Sequence, residues 1–106
     1  MITKYGTEVD NQLILDNLKR LVNQTYKLLP SREENLDWKT PLSTITEEVA
    51  GMNYLFEGSF GTEPLTYLEK MEGLVSLENK DFFYFRRTIF ECLGLLNKIK
   101  DYVKSR

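Results

Sequence analysis

The 106 residues, 42% hydrophobic and 28% charged, give room for one domain spanning 1–106, with a core large enough to fold without staples. Cys92 is the only cysteine, so an intrachain disulfide is excluded. Histidine is absent, which removes the usual general base near neutral pH and the commonest zinc ligand. The net charge is −2, and a pI near 5.2 opposes nucleic-acid binding, which draws most of its affinity from phosphate neutralisation. No apolar run approaches the ~20 residues of a membrane span. Lys4, Glu8 and Asp10 break the charged-then-apolar order of a signal peptide. A reducing cytoplasm is the expected setting, with no membrane and no nucleic acid as partner.

Four segments carry helical periodicity. The first runs from about Asp10 to Leu29: Ile14, Leu18, Leu21, Thr25 and Leu28 form one face, widened by Leu15, Val22 and Leu29. Pro30 is expected to end it, because proline disfavours a helical residue before it. The eleven residues Pro30 to Thr40 then form a loop that carries Trp38, the only tryptophan. Thr40 is the expected N-cap of the second helix, with Pro41 at its first position and Leu42, Ile45, Val49, Met52 and Phe56 on its face. Gly58 and Gly61 flank Ser59 and Phe60 and break the chain. Pro64 opens the third helix, whose predicted face is Leu65, Leu68, Met71 and Val75. Asn79 or Asp81 caps the fourth, where Phe82, Phe85, Ile89, Cys92, Leu96, Ile99 and Val103 keep strict 3-4 spacing and Phe83, Phe90 and Leu93 flank them. No segment shows sustained strand-like alternation. The fold class is all-α, a compact antiparallel bundle of about four helices.

Four features bear on chemistry. Glycines at Gly51, Gly73 and Gly94 each cost a helix interior about 1 kcal/mol relative to alanine, which suggests close helix–helix approach. Charge is segregated: residues 31–72 hold nine acids against three bases, and residues 86–106 hold six bases against two acids. Complementary packing of antiparallel helices is the simple account, with a basic face for a polyanion as the sharper one. Phe82, Phe83, Tyr84 and Phe85 point in four directions around a helix, so one core cannot easily take them all. Phe82 and Phe85 belong to the core stripe and Phe83 to its flank, leaving Tyr84 outward beside Arg87. Aromatics and arginine are enriched at interface hot spots. Trp38, Tyr84, Arg86 and Arg87 are therefore the candidate partner-binding residues, against the alternative that Trp38 folds over the cluster internally and Arg87 pairs with Glu91.

The fourth feature is a carboxylate set: Glu47, Glu48, Glu69, Glu72 and Glu91. Glu69-Lys-Met-Glu72 followed by Glu91-Cys-Leu-Gly94 resembles in outline the all-α NTP pyrophosphatases, which hold Mg²⁺ with an E-x-x-E pair and an E-x-x-D pair on successive helices. Gly94 stands where the fourth carboxylate of that pattern belongs, and a solvated acidic face explains the same residues.

A broader resemblance covers most of the chain. The run Leu28 to Glu34, then Trp38, Pro41 and Glu47-Glu48-Val49-Ala50-Gly51-Met52, together with Tyr84 to Leu93, resembles small uncharacterised helical proteins of Gram-positive bacteria and their phages or mobile elements. It implies an accessory or regulatory protein that binds a host or defence component, and carries no activity. The expected function is a non-enzymatic protein–protein interaction module without metal or cofactor, whose partner is another protein or a second copy of itself. A Mg²⁺-dependent nucleotide hydrolase using Glu69, Glu72 and Glu91 is the alternative. The expected outcome of an assay with NTPs or dNTPs and Mg²⁺ or Mn²⁺ is no release of pyrophosphate. Release that is abolished by Glu69→Gln would put the hydrolase first.

Overall fold

The computed structural model describes residues 1–76 and 81–106. Asp10 lies in extended backbone, and its Oδ1 accepts from Gln12 N at 2.9 Å to cap α1 (Asn11–Glu33). The helix does not stop at Pro30. Proline removes one N–H, but its fixed φ is helical, and Glu34 N donates to the Pro30 carbonyl at 2.9 Å. The end comes at a Schellman turn, where Asn35 takes φ 57°, Asn35 N bonds the Arg32 carbonyl and Leu36 N bonds the Ser31 carbonyl. The expected long loop shrinks to residues 34–38.

The N-cap position of α2 (Lys39–Leu55) is Trp38, not Thr40, and the capping bond comes from the residue before it: Asp37 Oδ1 accepts from Thr40 N at 3.2 Å. Hydrogen bonds from the Thr40 hydroxyl and N–H hold the Asp37 carboxyl below its ordinary value. Pro41 falls in the first turn, where its missing N–H has no partner to lose. Beyond α2, Gly58 and Gly61 adopt φ 75° and 67°, and the turn they make drives Phe60 inward. Phe60 is fully buried and sits edge-on to Phe56, with ring centroids 5.6 Å apart. α3 (Glu63–Ser76) follows. Asp81 caps α4 (Phe82–Lys104) by accepting from Tyr84 N at 2.8 Å. Asn79, the other expected cap, lies outside the described residues.

Each helix packs on its chain neighbours and α4 closes the ring on α1, the most extensive of the pairings. Asn11 Nδ2, at the start of α1, donates to the Val103 carbonyl near the end of α4, as an antiparallel pair requires. The expected faces of α1, α2 and α4 are the buried ones, apart from Phe82, which is half-buried. α3 is the exception. Its buried face is Pro64, Tyr67, Met71 and Leu74, while Leu65 and Val75 are exposed. Tyr67 turns inward because its hydroxyl meets the buried Thr25 hydroxyl at 2.9 Å, so the whole ring can be taken out of water. Cys92 is buried beneath α3, and burial pushes its thiol up to about 12.

Two further expectations fail. A Cβ built at Gly51, Gly73 or Gly94 would meet nothing within 4 Å, so these glycines do not mark close helix approach. Among the described residues, the ion pairs that join helices do not follow the segregated charge: Arg20 pairs with Glu48 between α1 and α2, and Lys70 with Glu91 between α3 and α4 at 3.6 Å. The second pair places its base on α3 and its acid on α4, opposite to the overall asymmetry. Residues 1–9, which carry no periodic signal, form a small hairpin. Thr3 N donates to the Thr7 carbonyl at 2.9 Å, Gly6 turns the chain at φ 81°, and Lys4 N fastens it to the Leu55 carbonyl at 2.8 Å. Among the described residues, no helix is long and apolar enough to cross a membrane.

Ile89 and Leu96 are both fully buried, so Ile89→Ala and Leu96→Ala should each cost about 2–5 kcal/mol in urea unfolding. A cost of under about 1 kcal/mol for both would be foreign to a packed core. Gly51→Ala, in the open, should instead raise stability by up to about 1 kcal/mol.

Candidate functional site

The head of α4 is fixed by its cap and by Phe85, the first fully seated residue of the stripe. Trp38 lies edge-on to Phe85, with ring centroids 5.1 Å apart, and Phe82 stacks on Phe85 at 6.4 Å. Arg32, the penultimate residue of α1, places its guanidinium 5.8 Å from the Trp38 ring centroid and 5.6 Å from that of Phe85. Trp38 is half-buried and closes this end of the bundle.

The other face of the same helix is open. Phe83 is 82% exposed, against the expectation that it flanks the core. Residues two apart on a helix lie about 200° apart, so seating Phe85 inward sends Phe83 outward. Tyr84, expected to point away, is instead half-buried on the side of the helix and touches the core. Arg87 does not pair with Glu91, which is held by Lys70. Its guanidinium lies 5.6 Å from the Tyr84 ring centroid, and that of Arg86 lies 5.0 Å from the Phe90 ring centroid. Cation–π contact leaves both arginines their full charge. Among the described residues neither has a carboxylate partner. Asp81, Phe83, Tyr84, Arg86, Arg87 and Phe90 together line a shallow depression of about 630 Å³. Three of the four expected site residues thus share one surface. Trp38 does not line it, though it supports the helix from behind through Phe85.

The carboxylates are dispersed. Glu48 is taken by Arg20 and Glu91 by Lys70, while Glu47 and Glu72 line a groove between α2 and α3. Among the described residues, no three Asp, Glu or Cys side chains are grouped so as to hold a metal ion. A second open feature is an apolar groove of about 340 Å³ between α1 and α2, lined by Leu13, Met52, Leu55 and the bare backbone of Gly51. The separate helical faces give no signal for it, because it exists only where two helices diverge.

No protein family, curated protein or solved structure matches the chain.

The Asp37 cap that sets the entry into α2 beside Trp38 has a pH signature. A carboxyl whose folded value is depressed contributes stability that is present above its unfolded value near 3.8 and is lost as pH falls through the folded one. In an NMR titration Asp37 should therefore show a midpoint below 3.8, and Thr40→Val should move it upward. A midpoint at or above 3.8 in the wild-type chain would show that the cap does not form in solution.

Proposed function

We propose that the protein is a small non-enzymatic interaction module, a regulatory or accessory protein that binds another protein or a second copy of itself through the outward face of α4. One observation carries this. An almost fully exposed phenylalanine, Phe83, stands beside two arginines with no carboxylate partner among the described residues, on a helix whose opposite face is the best-buried in the bundle. Exposed single apolar residues are common, but aromatic side chains next to arginine are the types that dominate binding energy when desolvated. A rigid helix presenting them needs little reordering on contact, which lowers the cost of association. The resemblance to small helical proteins of Gram-positive bacteria, their phages and mobile elements suggests a host or defence component as the bound protein.

The test pairs capture of a partner from a Gram-positive lysate with titration of the purified partner. Phe83→Ala and Arg87→Ala should each weaken binding at least tenfold, the scale of about 2 kcal/mol expected for a hot spot, with melting temperatures unchanged within a few degrees. Wild-type affinity in both folded variants would remove α4 as the contact surface.

A further inference from the structure

We infer that the outward face of α4 docks a second copy of the same helix, running antiparallel across a two-fold axis at the level of Cys92. The inference rests on the interaction reading above and names its partner. The outward residues Phe83, Arg87, Phe90, Gly94, Asn97 and Asp101 share the helix face opposite the core stripe, all are exposed, and Phe83 and Phe90 are the apolar members. At 1.5 Å per residue this face runs about 27 Å.

The face is complementary to itself at its centre, while its outermost mirror pair sets Phe83 against Asp101. Phe83 and Asp101 lie nine residues to either side of Cys92, Arg87 and Asn97 five, and Phe90 and Gly94 two. In an antiparallel pair centred there, each residue meets its mirror position on the other chain. Phe90 then lies over the second copy's Gly94, where the missing side chain leaves room for the ring. Arg87 lies opposite the second copy's Asn97, one turn from its Asp101, within reach of that carboxylate. Neither Arg87 nor Asp101 has an oppositely charged partner among the described residues, so each charge is open to one in the second copy. Gly94 is otherwise unexplained: it weakens the middle of the longest-striped helix, and a Cβ there would touch nothing. A second helix closing on it supplies a reason. The two-fold relation makes the interface isologous, so it ends at the dimer. On the flanks, Arg86 meets Lys100 and Glu91 meets Glu91, the latter relieved by Lys70, and these like charges keep the association weak and concentration-dependent.

Sedimentation of the full chain over a wide concentration range should show a reversible monomer–dimer equilibrium. Arg87→Asp alone and Asp101→Arg alone should each weaken dimerisation at least tenfold, because each brings like charges within reach of one another twice in the dimer. An equimolar mixture of the two variants should regain dimer, since both contacts of the mixed pair then set a carboxylate of one chain against a guanidinium of the other. Gly94→Leu should abolish the dimer while the monomer stays folded by circular dichroism. A wild-type chain that stays monomeric at every concentration overturns the second copy as occupant and leaves capture of another protein to be judged by its own titration. A dimer that forms but is indifferent to all three substitutions also overturns it.

Discussion

A phenol in the middle of the bundle must find a hydrogen bond, and that requirement sets how the four helices are turned. Tyr67 is fully buried on α3 and its hydroxyl meets that of Thr25 on α1, diagonally across the core. An unsatisfied buried hydroxyl costs of the order of 1–3 kcal/mol, comparable to a sizeable part of a small domain's stability. Satisfying it fixes α3 in rotation about its own axis. Met71 and Leu74 then face the core, and Leu65 and Val75 are left to solvent. Burial pushes the phenol's proton affinity upward, so the pair stays neutral and acts as a directional peg within an otherwise apolar interior.

With α3 placed, α4 has a groove to lie in, and its seven-residue stripe fills the space between α3 and α1. Among the described residues, the ion pairs Arg20–Glu48 and Lys70–Glu91 that join helices lie on exposed or half-exposed positions, where such pairs contribute little. Packing alone therefore decides which face of α4 is inward, and the outward face is free to be selected for something else. That division lets one helix be both the spine of the fold and its contact surface.

Much of this was legible in the residues. The core faces of α1, α2 and α4 could be assigned from spacing because each keeps a nearly unbroken run of apolar residues at 3-4 intervals. α3 could not, because Tyr67 counts as polar or apolar depending on whether a partner waits for its hydroxyl, and Thr25 is forty-two residues away. Pro30 misled for a different reason: whether a proline ends a helix depends on the turns beyond it, and here the signal was Asn35, a residue that tolerates the left-handed region. The glycines misled because composition shows the cost of a missing side chain and not what lies opposite it. For the site, Arg86, Arg87 and Tyr84 line one depression, with Tyr84 half-buried on its side and not turned away from the core. Phe83, the most exposed of the group, was missed by assigning it to the flank of the stripe that holds Phe85, although two steps along a helix nearly reverse direction.

Cys92 lies halfway along α4 on its inward side, with burial holding the thiol protonated and far from reactive at neutral pH. A thiol reagent can reach it only when α4 lifts out of the groove between its neighbours. Because the chain has no other cysteine, the rate of its modification is a clock for that single opening event, read without labels or mutations. The bundle thus reports its own breathing through one sulfur atom, on the helix that carries both its core and its outer face.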